Sequence, residues 1–237
     1  MTSTIEWTTK TWNPVTGCTK ISAGCKLCYA DFRHNIRHKA YQEGKLQTCP
    51  QYARPFSEIQ FIESRLTVPR HWRKGRRVFV NSVSDLFHEG VSNSQIQSVL
   101  DVCAQTPRHS FQILTKRPER LADFSYPDNV WLGVTVENQD AADKRIPLLK
   151  GVRAKIRFLS CEPLLEPLRL DLDGVHWVIA GGETGKGARF MKPDWARDIQ
   201  AQCRQAGVAF FMKQMTKKAP IPDDLMIREY PEETTPI

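Results

Sequence analysis

The sequence predicts an α/β protein, a partial TIM-like (β/α) barrel of about six or seven parallel strands. Two observations predict it. Short runs of β-branched and aromatic residues recur along the chain, with amphipathic segments after most of them. These runs also lead into polar clusters, as expected where parallel strands deliver functional groups at their C-terminal ends.

Taken in order, the elements begin with an opening strand near Thr4–Thr11 that leads into a cysteine-rich loop. The stretch Thr48–Arg77, with four prolines or glycines and much charge, breaks the rhythm and reads as an insertion at 48–77. Strands follow at Val78–Val83, Ser110–Thr115, Val130–Val136, Lys155–Ser160, His176–Ala180 and Val208–Met212. Between them, Ile96, Val99, Leu100 and Cys103 fall on one face of a helix over Ser94–Gln105. Asn138 suits the cap of a helix that turns Ala142, Ile146 and Leu149 inward. Pro193 suits the first turn of another, presenting Trp195, Ile199 and Cys203. From residue 218 the chain is rich in Pro, Asp and Glu and reads as an irregular C-terminal extension. No segment reads as a linker, so the expectation is one domain over residues 1–237.

Hydrophobic residues at 41% against 25% charged fit a packed core and exclude a disordered or fibrous chain. No run approaches the ~18–20 apolar residues of a membrane span. Met1–Lys10 has no basic start followed by an apolar run, as a secretory signal would. The expected setting is therefore the bacterial or infected-host cytoplasm, with no membrane partner. The formal charge of +8 favours polyanionic partners, nucleic acid first.

Seven cysteines are an odd number for a disulfide framework, and three of them crowd into eleven residues as Cys18-x6-Cys25-x2-Cys28. In a reducing compartment such a cluster points to metal or redox chemistry. Soft thiolates select zinc or an iron–sulfur cluster. Three thiolates on a [4Fe–4S] cluster leave one iron open for chemistry. A zinc site would instead recruit a fourth ligand, for which Cys49, His34 and His38 are the candidates. Cys103, Cys161 and Cys203 read as core residues, and the pair His34/His38 as a solvated helix face.

The loop Thr11–Cys18 to Cys28-Tyr29-Ala30 resembles the cluster-binding loop of the radical SAM superfamily. It is most similar to a phage-associated three-cysteine family, and more distantly to the spore photoproduct lyases. The resemblance continues through Asn81–Phe87, Leu114–Pro118, Gly133–Asn138, Ser160–Leu165 and Gly181–Glu183, and so spans residues 12 to about 215. One departure is plain. The commonest superfamily loop is C-x3-C-x2-C with an aromatic before its last cysteine, whereas here the first gap is wider and Leu27 stands at that position.

The resemblance implies a [4Fe–4S] cluster on Cys18, Cys25 and Cys28, with S-adenosyl-L-methionine (SAM) as the second cofactor. It implies SAM contacts from the strand ends: Asn81, Ser82, Ser84, Asp85, Thr115, Lys116, Glu137, Ser160 and Glu162. It implies an electron donor such as flavodoxin or ferredoxin. Relatives in phages are associated with thymidine hypermodification. The implied reaction is thus isomerisation of a glycyl adduct on thymidine in DNA, which helps a genome evade restriction. A lyase that repairs a pyrimidine lesion is the alternative enzyme. A zinc- or cluster-stabilised nucleic-acid-binding module is the non-enzymatic one.

The basic stretch Arg70, Trp72, Arg73, Lys74, Arg76 and Arg77 offers five cations and an indole. Such a set suits a phosphate backbone and a stacked base. A second basic run, Arg33 to Lys39, follows the cysteine loop. If both flank the barrel mouth, the target base would be flipped inward.

Overall fold

The computed structural model describes residues 5–231. Seven parallel strands form one sheet: β1 (Lys10–Trp12), then β4 (Arg77–Val80), β5 (Ser110–Thr115), β6 (Val130–Thr135), β7 (Ile156–Cys161), β8 (Trp177–Gly181) and β9 (Ala209–Gln214). Their spatial order is β1-β4-β5-β6-β7-β8-β9, and the sheet curls into a half-barrel. A two-stranded antiparallel ribbon, β2 (Val15–Thr16) with β3 (Gln60–Phe61), lies beside it. Four helices accompany the strands: α1 (Tyr29–Gln42), α2 (Asn93–Gln105), α3 (Gln139–Lys150) and α4 (Pro193–Ala206).

Two of the helices start at side-chain caps. Ser92 and Gln95 close a reciprocal capping box on α2, and the Asn138 side chain accepts from Ala141 N at 2.9 Å on α3. Gly207 ends α4 in the left-handed conformation. Not every crossover is helical. A 3-10 turn over Pro118–Asp123 joins β5 to β6, and an irregular segment joins β7 to β8.

Strand alternation sorts the core into two faces. The outer face, with Cys161, packs on the helices, whose Cys103 and Cys203 are likewise fully buried. Inside the curl, Trp7, Phe79, Trp131, Phe158, Trp177, Ile179 and Phe211 form an aromatic plug. Its ring centroids stand 4.6–6.3 Å apart in tilted and edge-on pairs. Gly133 makes room for it, since a Cβ there would lie 2.5 Å from Phe158.

The segment expected to be an insertion is bonded to the chain that leads into the cysteine loop. Ile62 N donates to Pro14 O at 2.7 Å, Cys18 N to Phe56 O at 2.8 Å, and the Trp12 indole to Arg65 O at 2.8 Å. Residues 48–77 thus brace the approach to the cysteines. In the C-terminal extension, Met212 N donates to Ile227 O at 2.9 Å, so the chain after β9 folds back on that strand. The expected opening strand is short, starting at Lys10, and Thr4 lies outside the described residues. No helix among the described residues is long and apolar enough to cross a membrane.

Candidate functional site

The C-terminal ends of the strands surround a cavity whose floor includes the plug residues Trp7 and Phe79 and whose wall includes Cys18, Cys25 and Cys28. All three are free thiols of intermediate exposure. Asn81, Ser82, Ser84, Asp85, Thr115, Lys116, Ser160 and Glu162 line the same cavity. The fold therefore gathers side chains from β4, β5 and β7 against one loop.

Glu137 does not line this cavity. Its carboxylate is fully buried and paired with Arg145 at 2.7 Å, and its Oε1 accepts from Gly24 N at 3.3 Å. Burial pushes its pKa up, yet Arg145, the Ser22 hydroxyl and Lys116 together hold it below the ordinary value. Glu137 is thus a brace behind the cysteine loop and, unlike the other eight strand-end residues expected to contact SAM, stands outside the cavity lining.

Two further braces reach the loop from neighbouring strand ends. After β5, Arg117 Nη2 donates to Thr19 Oγ1 at 2.8 Å, and its Nη1 lies 3.7 Å from Cys18 Sγ. The ring of buried His88 meets the same Thr19 hydroxyl at 2.8 Å. Gly90 N donates to His88 Nδ1 at 2.9 Å, which leaves Nε2 as the protonated nitrogen. After β8, Glu183 holds Arg189, whose Nη2 donates to Ala23 O at 2.9 Å. A fourth tie comes from the loop side, where the Tyr29 hydroxyl donates to Ser82 O.

Asp85 is heavily engaged as well. It accepts from Thr115 Oγ1 at 2.7 Å, Phe87 N at 3.1 Å and Lys116 N at 2.9 Å. Ser84 Oγ donates to Val15 O at 2.9 Å, and Ser82 N donates to Asn13 Oδ1 at 2.7 Å. Asn81 differs: it is buried, and its Nδ2 has no hydrogen-bond partner among the described residues. An orphaned buried donor in a polar cavity costs stability, about 1–3 kcal/mol, and fits a ligand acceptor.

The thiols sit in unequal fields. Burial and then Asp85 push Cys18 up to about 11, against the opposing pull of Arg117. Burial also acts on Cys25, but backbone contacts at Ile21, the Lys116 charge and Ser22 outweigh it and lower the pKa. Among the described residues, no three His, Cys, Asp or Glu groups converge tightly enough to hold one metal ion.

Family comparison adds one result. A family model described as "Protein of unknown function (DUF5131)" matches residues 2–228. The chain belongs to this family. No curated protein and no solved structure matches it. In this DUF5131 member the cavity also includes residues that the sequence reading did not assign: Thr135, Lys213 and Gln214. Lys213 pairs with Glu162. The signal for it was the last strand, which runs two residues beyond its expected end at Met212.

The basic stretch stands elsewhere. Arg77 opens β4 opposite Ser110 at the start of β5, so Arg70 to Arg77 lie at the N-terminal end of the sheet, remote from the cysteines. Arg70 bonds Gln105 at 2.6 Å, and the Trp72 ring packs edge-on against His109 at 5.7 Å. Arg73 and Lys74 are exposed; Arg76 and Arg77 are half-buried. The condition that both basic runs flank the mouth is not met. The other run lies on α1, whose first residues Tyr29 and Ala30 line the cavity, and its Arg33 and Arg37 line the adjoining cleft. His34 there is buried and bonded to Arg54 O at 2.8 Å, not part of a solvated face. His38 bonds Tyr52 O at 2.7 Å.

Proposed function

We propose that this cavity takes SAM against a [4Fe–4S] cluster on Cys18, Cys25 and Cys28, and that the protein modifies a base in DNA. The glycyl-thymidine isomerisation implied by the sequence resemblance is the specific reaction proposed. The observation that supports the reading is the sharing of one cavity by three free thiols and eight polar strand-end residues. A purely structural metal site has no use for those polar groups.

The chemistry supplied by such a cofactor pair, when bound, is one-electron cleavage of a sulfonium followed by hydrogen-atom abstraction. The chain's own contribution is placement. Asn81 Nδ2 offers a buried donor, and Lys116 offers a cation near Cys25. Ser160, buried on the inner face of β7, offers a hydroxyl, while Glu162 and Lys213 close the far wall as an ion pair. The aromatic floor keeps water from below. Arg117, Glu137 and Arg189 hold the loop at the height of these groups.

Anaerobically reconstituted protein given SAM without DNA is expected to release methionine and 5′-deoxyadenosine, dithionite supplying one electron per SAM and the medium the hydrogen taken by the adenosyl radical. Nucleosides from DNA of cells carrying the gene are expected to show a mass-neutral change on a modified thymidine. Release of no 5′-deoxyadenosine contradicts the cofactor reading. A change confined to RNA or protein contradicts the substrate.

A further inference from the structure

The cysteine cavity opens sideways into a second cleft of about 680 Å3, within the roughly 300–1,000 Å3 of ligand clefts. Tyr29, Ser82, Glu162, Thr184, Lys213 and Gln214 line both. One ligand can therefore occupy the two spaces at once. On one side of the second cleft is α1, with Arg33 and Arg37 exposed one helical turn apart on the same face. On the other is the end of β9 and its turn, with Lys213 and exposed Lys218.

These cations are differently committed. Lys213 is paired with Glu162. Among the described residues, no carboxylate lies within ion-pair distance of Arg33, Arg37 or Lys218. Arg37 instead bonds the Tyr52 hydroxyl at 2.6 Å, with its guanidinium 5.4 Å from that ring's centre. The turn bearing Lys218 is unusual too. Lys217 and Lys218 take φ of 55° and 58°, left-handed values uncommon for lysine. Strain of this kind persists where the surroundings impose it, often at ligand sites.

Two rows of cations facing each other across a cleft, with a tyrosine at the junction, match a chain of phosphates bearing flat bases. We infer that a nucleic-acid strand lies along this cleft, its phosphates on Arg33, Arg37 and Lys218, with one base passing Tyr29 into the cysteine cavity. The destination of that base rests on the proposed reaction; the phosphate track does not. The stretch Arg70–Arg77, equally basic, plays no part in holding the strand at the site, because it lies at the other end of the sheet.

The test is fluorescence anisotropy of a labelled single-stranded DNA oligonucleotide with the full chain as purified, at several salt concentrations. The paired variant Arg33→Ala/Arg37→Ala is expected to bind roughly 10-fold more weakly, with a log–log salt slope reduced by about 1.4, or about 0.7 per lost phosphate contact. Arg73→Ala/Lys74→Ala is expected to stay within about twofold of the parent, and circular dichroism checks that both variants are folded. Equal losses from the two pairs, a loss confined to the second, or competition by polyglutamate as effective as by DNA would each overturn the inference. Binding needs no cluster, so its failure leaves the cofactor reading standing. Intact binding without SAM cleavage would sink that reading and leave the cleft.

Discussion

Arg145→Met is expected to lower stability by about 3–5 kcal/mol at neutral pH, the usual cost of stranding one member of a buried ion pair. The stranded partner is Glu137, whose side chain has no exposed surface. The pH dependence gives this prediction a sign that simple loss of packing would not. In the parent, Glu137 has a depressed pKa, so its contribution is present above the unfolded value and fades as pH falls through the folded one. In the variant only burial and weaker partners remain, the folded pKa rises above the unfolded value, and stability relative to the parent improves on acidification. Urea denaturation at pH 7 and pH 4.5 should show the gap between the two proteins narrowing at the lower pH. A constant gap would mean that Glu137 is not the group left uncompensated.

Gly17→Ala should cost about 2–5 kcal/mol and detach the front of the cysteine loop. Gly17 has φ of +92°, and an added Cβ would stand 2.4 Å from Glu58 O. The left-handed backbone costs an L-residue roughly 1–2 kcal/mol, and forcing apart a packed contact adds about 1–3 kcal/mol. The neighbouring bonds have no slack. Gly17 N donates to Val83 O at 3.3 Å, and Cys18 N donates to Phe56 O at 2.8 Å. Relief of the clash therefore has to move Cys18 relative to Ser84 and Asp85. Chemical denaturation measures the loss, and iron uptake by the variant that survives measures the displacement. Parent-like stability would show that the segment around Glu58 yields freely.

Much of the fold could be read in the sequence because its periodicities are local. The β-branched and aromatic runs at 110–115 and 130–136 became strands almost residue for residue, and the inward positions Ala142, Ile146 and Leu149 are buried as helical spacing requires. The reading of Cys161 as a core residue holds as well, since strand alternation turns it to the helix side of the sheet. The strand-end rule brought Asn81, Thr115, Ser160 and Glu162 to one cavity.

What escaped depends on contacts across long stretches of chain. Arg145 is only eight residues on, but nothing near residue 137 announces that its carboxylate also answers to Gly24, 113 residues earlier. Residues 48–77 look irregular because their local bonds close only isolated turns, such as Tyr52 N to Cys49 O and Leu66 N to Glu63 O, while others tie the segment to residues 12–18. The basic stretch at 70–77 misled for a related reason. Composition records charge without recording which end of a parallel strand carries it, and Arg77 begins β4 rather than ending it.

On the proposed function, Cys18, Cys25 and Cys28 hold an iron–sulfur cluster at the mouth of the half-barrel. Iron and acid-labile sulfide, measured after anaerobic reconstitution of the parent and of Cys18→Ser, Cys25→Ser and Cys28→Ser, test that most directly. The parent should take up about four of each per chain, as a [4Fe–4S] cluster requires, and every single variant should lose most of both. Sulfide-free metal in the parent, or parent-like loading in any one of the three variants, would contradict it.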